Sequence, residues 1–555
     1  MTLEGFQRWS LQLDEVDRQI AETDSYEGTD IKHIPLSNGP FNVFHVQPVS
    51  VEGPIESDFD HQHLALELVV APVDCKLPEI DSVQEHEISD GSMTVHTWEV
   101  FDWQYQLSST RSRVSSSPFN VIPIISQDPT INRLMENYAR NVANVLPALR
   151  HHDNPYSTIY LPKAMNGASN IAPNITSSVS RLVSCEPDIA VFYALLATSA
   201  FHLRGSHSEN GSYFDVLARH FRAKAFASLR KALPGACQDR EPLALNNQST
   251  FPPRESVLSA MLTLVTMDVM EGSMSEYWVH LGGINKVVRQ LSSGTQDSRI
   301  NLQLVTIASF LSTLAKTTSI DLPTLPWTGE QYSSRNRGSG IGYGLEFTYG
   351  ITPVLASYME RIVTLSQHIS YYVTNNTLAV PPSLISSCLS LSNELSEWSI
   401  ESESLSTFFS GADTDTNITL LLAKHHIIAF ADALRLYLHT RLLPCSPDEM
   451  ELCVDRVASH LIEIEDLKAV AGHGFNATAT IAWPGFIASC EANVGAPRQV
   501  WYRWWTYMLK YRIGNIDNLW KVVQEAWRLK DIEGFTEVPA WMPVLRCSRQ
   551  HILAV

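Results

Sequence analysis

Between Glu255 and Leu291 the chain reads ESVLSAMLTLVTMDVMEGSMSEYWVHLGGINKVVRQL, and this stretch limits the possible folds most tightly. Val257, Met261, Leu264 and Val265 recur at three- and four-residue intervals, which puts one apolar stripe on a helix. Gly272 supplies the left-handed backbone that stops a helix and that residues with a Cβ resist. Ser273 stands three residues before Glu276, the spacing of a capping box in which each side chain satisfies a free amide donor. Beyond it Trp278, Leu281, Ile284, Val288 and Leu291 fall together on a second helix. The expectation is a buried helical hairpin, with Ser273 as its internal cap and Trp278 in the core.

The same period runs through most of the chain. Asp128 and Pro129 stand as cap and first residue of a helix whose face is Ile131, Leu134, Met135, Tyr138, Val142, Val145 and Leu146. DIAVFYALLATSAFHLRG, from Asp188 to Gly205, is apolar almost all round and is expected at the centre. Tyr213 to Leu233 reads as an amphipathic helix with its bases on one side. Further helical patterns cover Ile300–Leu314, Val354–Val373, Pro382–Trp398, Leu420–Leu443 and Pro447–Ala469, followed by a tryptophan-rich C-terminal block. After residue 120 there are no convincing strands, so the fold class is all-α.

The N-terminal part differs. Residues 1–120 hold 21 acids and six bases, which accounts for −15 of the chain's formal net charge of −19. Such a segment repels phosphates rather than neutralising them. Phe6, Trp9, Leu13, Val16 and Ile20 sketch one amphipathic helix. Phe41–Val46, Leu64–Val70 and Thr94–Leu107 have the alternation of short strands, and the serine-rich SSTRSRVSSSP from Ser108 reads as a linker. The expected organisation is an acidic segment at 1–116, partly ordered and with a few short strands, followed by a helical domain at 117–555.

Length and composition exclude several classes. With 555 residues and 44% hydrophobic content the chain can bury a large core. It lacks a run of eighteen apolar residues, so no membrane span is expected, and its acidic start is unlike an export signal. The eight cysteines are scattered without a close-spaced framework, as free thiols in a reducing compartment would be.

No motif points to catalysis, a cofactor or a metal. Cys445, Cys453 and His460 are spaced too irregularly for one helical face, and the adjacent pairs His151–His152 and His425–His426 would diverge by about 100° on a helix. GSGIGYG, from Gly338, lacks the register and the Lys-Ser/Thr of a phosphate-cradling loop. Asp268 and Glu271 lie in an apolar helix that would raise a carboxyl pKa, and a neighbouring helix end or arginine is their expected partner. His280 is expected as a hydrogen-bonded core residue. Trp501, Trp504, Trp505 and Met508 share a face, which favours packing over stacking on single-stranded nucleic acid.

Several blocks in order resemble the fungal-specific transcription factor domain. They are SPFNVIPIISQDPTINRLMENYA from Ser117, DIAVFYALLATSAFHL from Asp188, HFRAKAFASLRKAL from His220, SVLSAMLTLVTMDVMEG from Ser256 and YWVHLGGINKVVRQL from Tyr277. HHIIAFADALRLYLHTRL from His425, AWPGFIASCEA from Ala482 and YRIGNIDNLWKVVQEAWRLKD from Tyr511 complete the set. The tryptophan-proline block and the Gly514-Asn515 turn are the most specific. The resemblance implies an all-helical regulatory region of a nuclear transcriptional regulator that controls a metabolic gene set.

This sequence departs from the family's pattern where a basic six-cysteine zinc cluster usually stands, since its first cysteine is Cys75. DNA contact is therefore expected only indirectly or through a module not in this sequence, with a protein partner or a homodimer and a small-molecule effector. The alternative is an enzyme or small-molecule binder on the same scaffold in a specialised metabolic pathway.

Overall fold

A computed structural model describes residues 36–38, 44–46, 128–171, 179–205, 211–233, 253–273, 276–291, 299–320, 324–329, 342–374, 379–405, 414–471, 478–532 and 539–555. The chain divides into two compact units, 1–117 and 118–555. In the first, β1 (Leu36–Asn38) and β2 (Phe44–Val46) pair antiparallel with Leu36 opposite Val46. β2 lies within the Phe41–Val46 run. The expected helix at residues 3–20, the strands at Leu64–Val70 and Thr94–Leu107, and the serine-rich linker lie outside the described residues.

The second unit is mostly helical and has no strand among its described residues. It opens with α1 (Pro129–Asn137), where the Asp128 carboxylate accepts from the Thr130 amide at 2.8 Å and Pro129 fills the first helical position, as the spacing predicts. The predicted face does not continue as one α-helix. A π-helical turn at Tyr138–Val142 widens the coil by one residue, and Tyr138, Val142 and Val145 are buried across it.

α2 (Leu161–Ile171) and α3 (Val179–Arg204) follow, then α4 (Gly211–Ala232), α5 (Arg254–Glu271) and α6 (Tyr277–Leu291). α3 is central as expected and packs against α2, α4 and α5. It begins earlier than its apolar run, because Pro187 sits inside it and removes one ladder bond without ending it. The next elements are α7 (Arg299–Thr317), α8 (Pro353–Thr374), α9 (Pro382–Glu397), α10 (Thr414–Arg441) and α11 (Pro447–Ala471). They are followed by α12 (Ala482–Cys490), α13 (Ala496–Leu509), α14 (Gly514–Lys530) and α15 (Trp541–Ser548).

α10 and α11 form a second hairpin that shelters α12. The tryptophan-proline block is that sheltered helix. Trp483 stacks on Phe430 at 5.7 Å between centroids, meets Tyr437 edge-on, and donates through Nε1 to Thr317 Oγ1 at 2.8 Å. Gly485 is required because a Cβ there would lie 2.1 Å from the Trp504 ring.

The opening hairpin departs from what its periodicity predicts. α5 is buried on every side, with all residues from Ser256 to Val265 inside, so its stripe is part of a wholly enclosed helix. Gly272 does end it in the left-handed conformation, at φ 84°. The following helix starts at Tyr277, directly after Glu276, and not at Ser273. Its inner face is Tyr277, Leu281 and Ile284, while Trp278 is 50% exposed and tilts toward His551. Trp278 is therefore not a core residue. The tail decides this: Tyr277 Oη donates to the carbonyl of buried Ile552 at 3.0 Å, which fixes the helix rotation and turns the next residue outward.

Candidate functional site

Among the described residues, a dense set of charges lies where α4, α5 and the start of α6 meet, with Asp268 and Glu271 buried at its centre. α4 carries Asp215, Arg219, Arg222 and Phe226 at spacings of four, three and four, so they share one face. α5 contributes Asp268 and Glu271, one turn apart at its C-terminal end. Arg222 is the hub. Its Nη1 donates to Glu271 Oε2 at 2.7 Å, and its Nη2 to Glu276 Oε2 at 2.7 Å and Asp268 Oδ1 at 3.2 Å. Arg204, from α3, donates to Asp215 and to the Glu271 carbonyl at 2.8 Å each, and Arg219 pairs with Asp215 at 2.8 Å and Glu271 at 3.3 Å.

Burial sets the proton affinities. It raises the Asp268 carboxyl well above the usual range, with Glu276 and Glu271 adding to the rise and Arg222 opposing it. Burial also raises Glu271, against Arg222, Arg219 and Arg204. At Asp215 burial works in the same direction, but the hydrogen bonds from Arg219 and Arg204 prevail and hold it low. His280 is pressed down to about 4 by burial, with Arg222 contributing and Glu276 opposing. Its ring stacks on Phe226 at 5.4 Å, and the Arg222 guanidinium lies 5.5 Å above the same phenyl ring. His280 Nε2 lies 3.7 Å from Asp268 Oδ2.

The expected arginine partner of Asp268 and Glu271 is thus Arg222. Periodicity alone places Arg222 only on the basic side of its helix. The signal that would have found it lies in the pattern Asp215–Arg219–Arg222, an acid followed by bases on one face, beside a second helix with acids three residues apart. At His280 the structure adds what sequence spacing does not bring together: its Nε2 is buried without a hydrogen-bond partner and faces the Asp268 carboxylate.

Other suggestive residues are dispersed or occupied. His151 and His152 sit in a turn and not on a helix, so their rings do not diverge but lie 4.2 Å apart, with His151 stacked on Phe347. Asp153 beside them is held by Arg299 and Tyr343. His425 turns to His460 on α11, Nδ1 to Nδ1 at 3.0 Å, while His426 is buried. Burial pushes the Cys453 thiol up to about 11, with Asp432 adding to it. Gly342 of the glycine-rich stretch spends its amide on Thr306 Oγ1 at 3.1 Å. Trp501, Trp504, Trp505 and Met508 are buried, and the bases around them pair outward, Arg498 with Asp531 and Arg503 with Asp466. That face packs inward rather than offering its rings to a nucleobase.

Residues 133–555 match the family described as fungal specific transcription factor domain. The chain belongs to that family. The fungal-specific transcription factor domain takes in the whole charged cluster, from Arg204 to His280, together with the tryptophan-proline helix and the C-terminal tail. Over 225 residues the chain is 28% identical to arginine metabolism regulation protein II of Saccharomyces cerevisiae, a stretch covering 39% of this chain and 23% of that protein. The match thus spans about a quarter of the yeast protein's length. No solved structure matches the chain. Among the described residues no helix is long and apolar enough to cross a membrane.

Proposed function

We propose that the protein is a transcriptional regulator that acts in the nucleus on a metabolic gene set and reaches DNA through a partner or a second copy of itself. The match of residues 133–555 to the transcription factor domain family carries this reading. The yeast relative's name, a regulator of arginine metabolism, supports a metabolic target. The acidic balance of residues 1–120 supports indirect contact with DNA, since 21 acids against six bases oppose phosphate binding. In this reading the helical body is a regulatory scaffold and not an enzyme. Its strongest nucleophile and base candidates support that role, because Asp268, Glu271 and Glu276 are held by Arg222.

The test combines imaging, genetics and chromatin occupancy. A tagged chain expressed from its own locus is expected in the nucleus, and its deletion is expected to change a metabolic transcript set. Chromatin occupancy should disappear when the associated DNA-binding protein is depleted. A cytosolic chain whose deletion leaves transcripts unchanged would overturn the proposal. Mapping the transcript's 5′ end decides whether a six-cysteine module is encoded ahead of Met1, in which case DNA contact would be direct.

A further inference from the structure

Asp268 is 0% exposed, and one of its oxygens, Oδ2, has no hydrogen-bond partner. Buried carboxylate oxygens are rarely left so, because an unmatched lone pair in a low-dielectric interior forfeits the water it gave up. The atom it faces, His280 Nε2, is also buried without a hydrogen-bond partner. The two are 3.7 Å apart, too far for a direct hydrogen bond. Two ligands on one tetrahedral zinc at the usual bond lengths stand about 3.3 Å apart, so the gap needs little adjustment to admit an ion. A carboxylate oxygen of Glu276 completes the group: the donor atoms of Asp268, Glu276 and His280 all lie within 4.8 Å of one another.

We propose that Asp268, Glu276 and His280 form a binding site for one divalent transition-metal cation, with Zn²⁺ as the fitting ion. Carboxylate oxygen and imidazole nitrogen are both zinc donors, and three protein ligands leave a fourth position open.

The surrounding contacts are those of a supported metal site. Arg222 holds Asp268 through Oδ1 and so directs Oδ2 toward His280, and Phe226 fixes the plane of the imidazole. The ligands come from α5, from the residue opening α6 and from α6 itself, so a bound cation would pin the hairpin. The cluster at His151, His152 and Asp153 lacks this enclosure, because the His152 side chain is 78% exposed.

The test is direct titration of the purified full chain, first stripped with chelator, with ZnCl₂ followed by calorimetry, and with CoCl₂ followed by visible absorption. The proposal expects one Zn²⁺ per chain, Co²⁺ bands of tetrahedral intensity, and a melting temperature that rises with added Zn²⁺. His280→Gln and Glu276→Gln should each weaken Zn²⁺ binding at least about tenfold, whereas His152→Ala leaves it unchanged. Glu276 is partly exposed and its replacement stays close in shape, so this second variant keeps the site testable if His280→Gln fails to fold. Absence of stoichiometric Zn²⁺ binding, or wild-type affinity in Glu276→Gln, would overturn the site.

Discussion

Gly272 and Gly514 are packed backbone to backbone. A Cβ on Gly514 would lie 2.5 Å from the Glu271 carbonyl oxygen, and one on Gly272 would lie 2.7 Å from the Gly514 carbonyl oxygen. Asn518 ties the contact with a hydrogen bond to the Gly272 carbonyl. The stop of α5 is thereby the seat of the first turn of α14, 242 positions along the chain. The left-handed Gly272 is legible in the sequence as a helix stop, but its role as a docking point is not.

Gly514→Ala should cost about 1–3 kcal/mol or more, since the opposing atoms are backbone and cannot step aside. Gly272→Ala adds a left-handed penalty of about 1–2 kcal/mol to its own clash. Because the two positions touch, the double variant should lose less than the sum of the singles. Urea denaturation of the three variants measures this, and strict additivity would show that the helices do not meet there.

Two tryptophans should behave oppositely. Trp483→Ala removes a fully buried ring with a satisfied indole and should cost about 3–5 kcal/mol. Trp278→Ala changes a half-exposed side chain and should cost about 1 kcal/mol or less. Thermal melts of the pair decide between this arrangement and a buried Trp278.

Arg222→Ala should be among the most damaging single changes in α4, at about 3–5 kcal/mol, because it leaves Asp268 and Glu271 buried without their shared cation. Arg222→Lys should recover only part of the loss, since an ammonium cannot span three carboxylates as the guanidinium fork does. Equal stability of Arg222→Lys and wild type in chemical denaturation would contradict this.

A pH-dependent strain is expected at Glu346, in the one-turn helix Leu345–Thr348. Burial pushes its carboxyl up from 4.5 to about 7, with Glu403 adding to the rise and its own backbone amide opposing it. The fold therefore prefers the protonated acid. Its contribution is fully present below pH 4.5 and is lost as pH rises through about 7. Glu346→Gln keeps the neutral shape at every pH, so its advantage over wild type should grow from pH 5 to pH 8, toward about 3 kcal/mol. Parallel melting curves across that range would exclude the shift.

Most of the secondary structure could be read because helical periodicity is local. The patterns at Val354–Val373 and Pro447–Ala469 differ from α8 and α11 by only one or two residues at an end. Periodicity fails where an element is enclosed on all sides, as α5 is, because no polar face marks its rotation. It also fails where a distant segment sets the rotation, as the Ile552 carbonyl does for Tyr277 and hence for Trp278. The π-helical turn after Asn137 escapes it for the same reason, since only the packed core shows which rotation is satisfied.

The sequence by itself determined the helical class, the positions of the stops and caps at Asp128 and Gly272, the acidic bias of the first 120 residues and the family the chain belongs to. Each of these depends on interactions within a few residues or on the order of blocks along the chain. Only the tertiary structure decided that Arg222, Asp268, Glu276 and His280 share one site. They stand on three segments, α4, α5 and the start of α6, and nothing local fixes the rotation and depth at which those segments meet. That meeting is set by α5 being enclosed, by the Gly272–Gly514 contact and by the returning C-terminal tail.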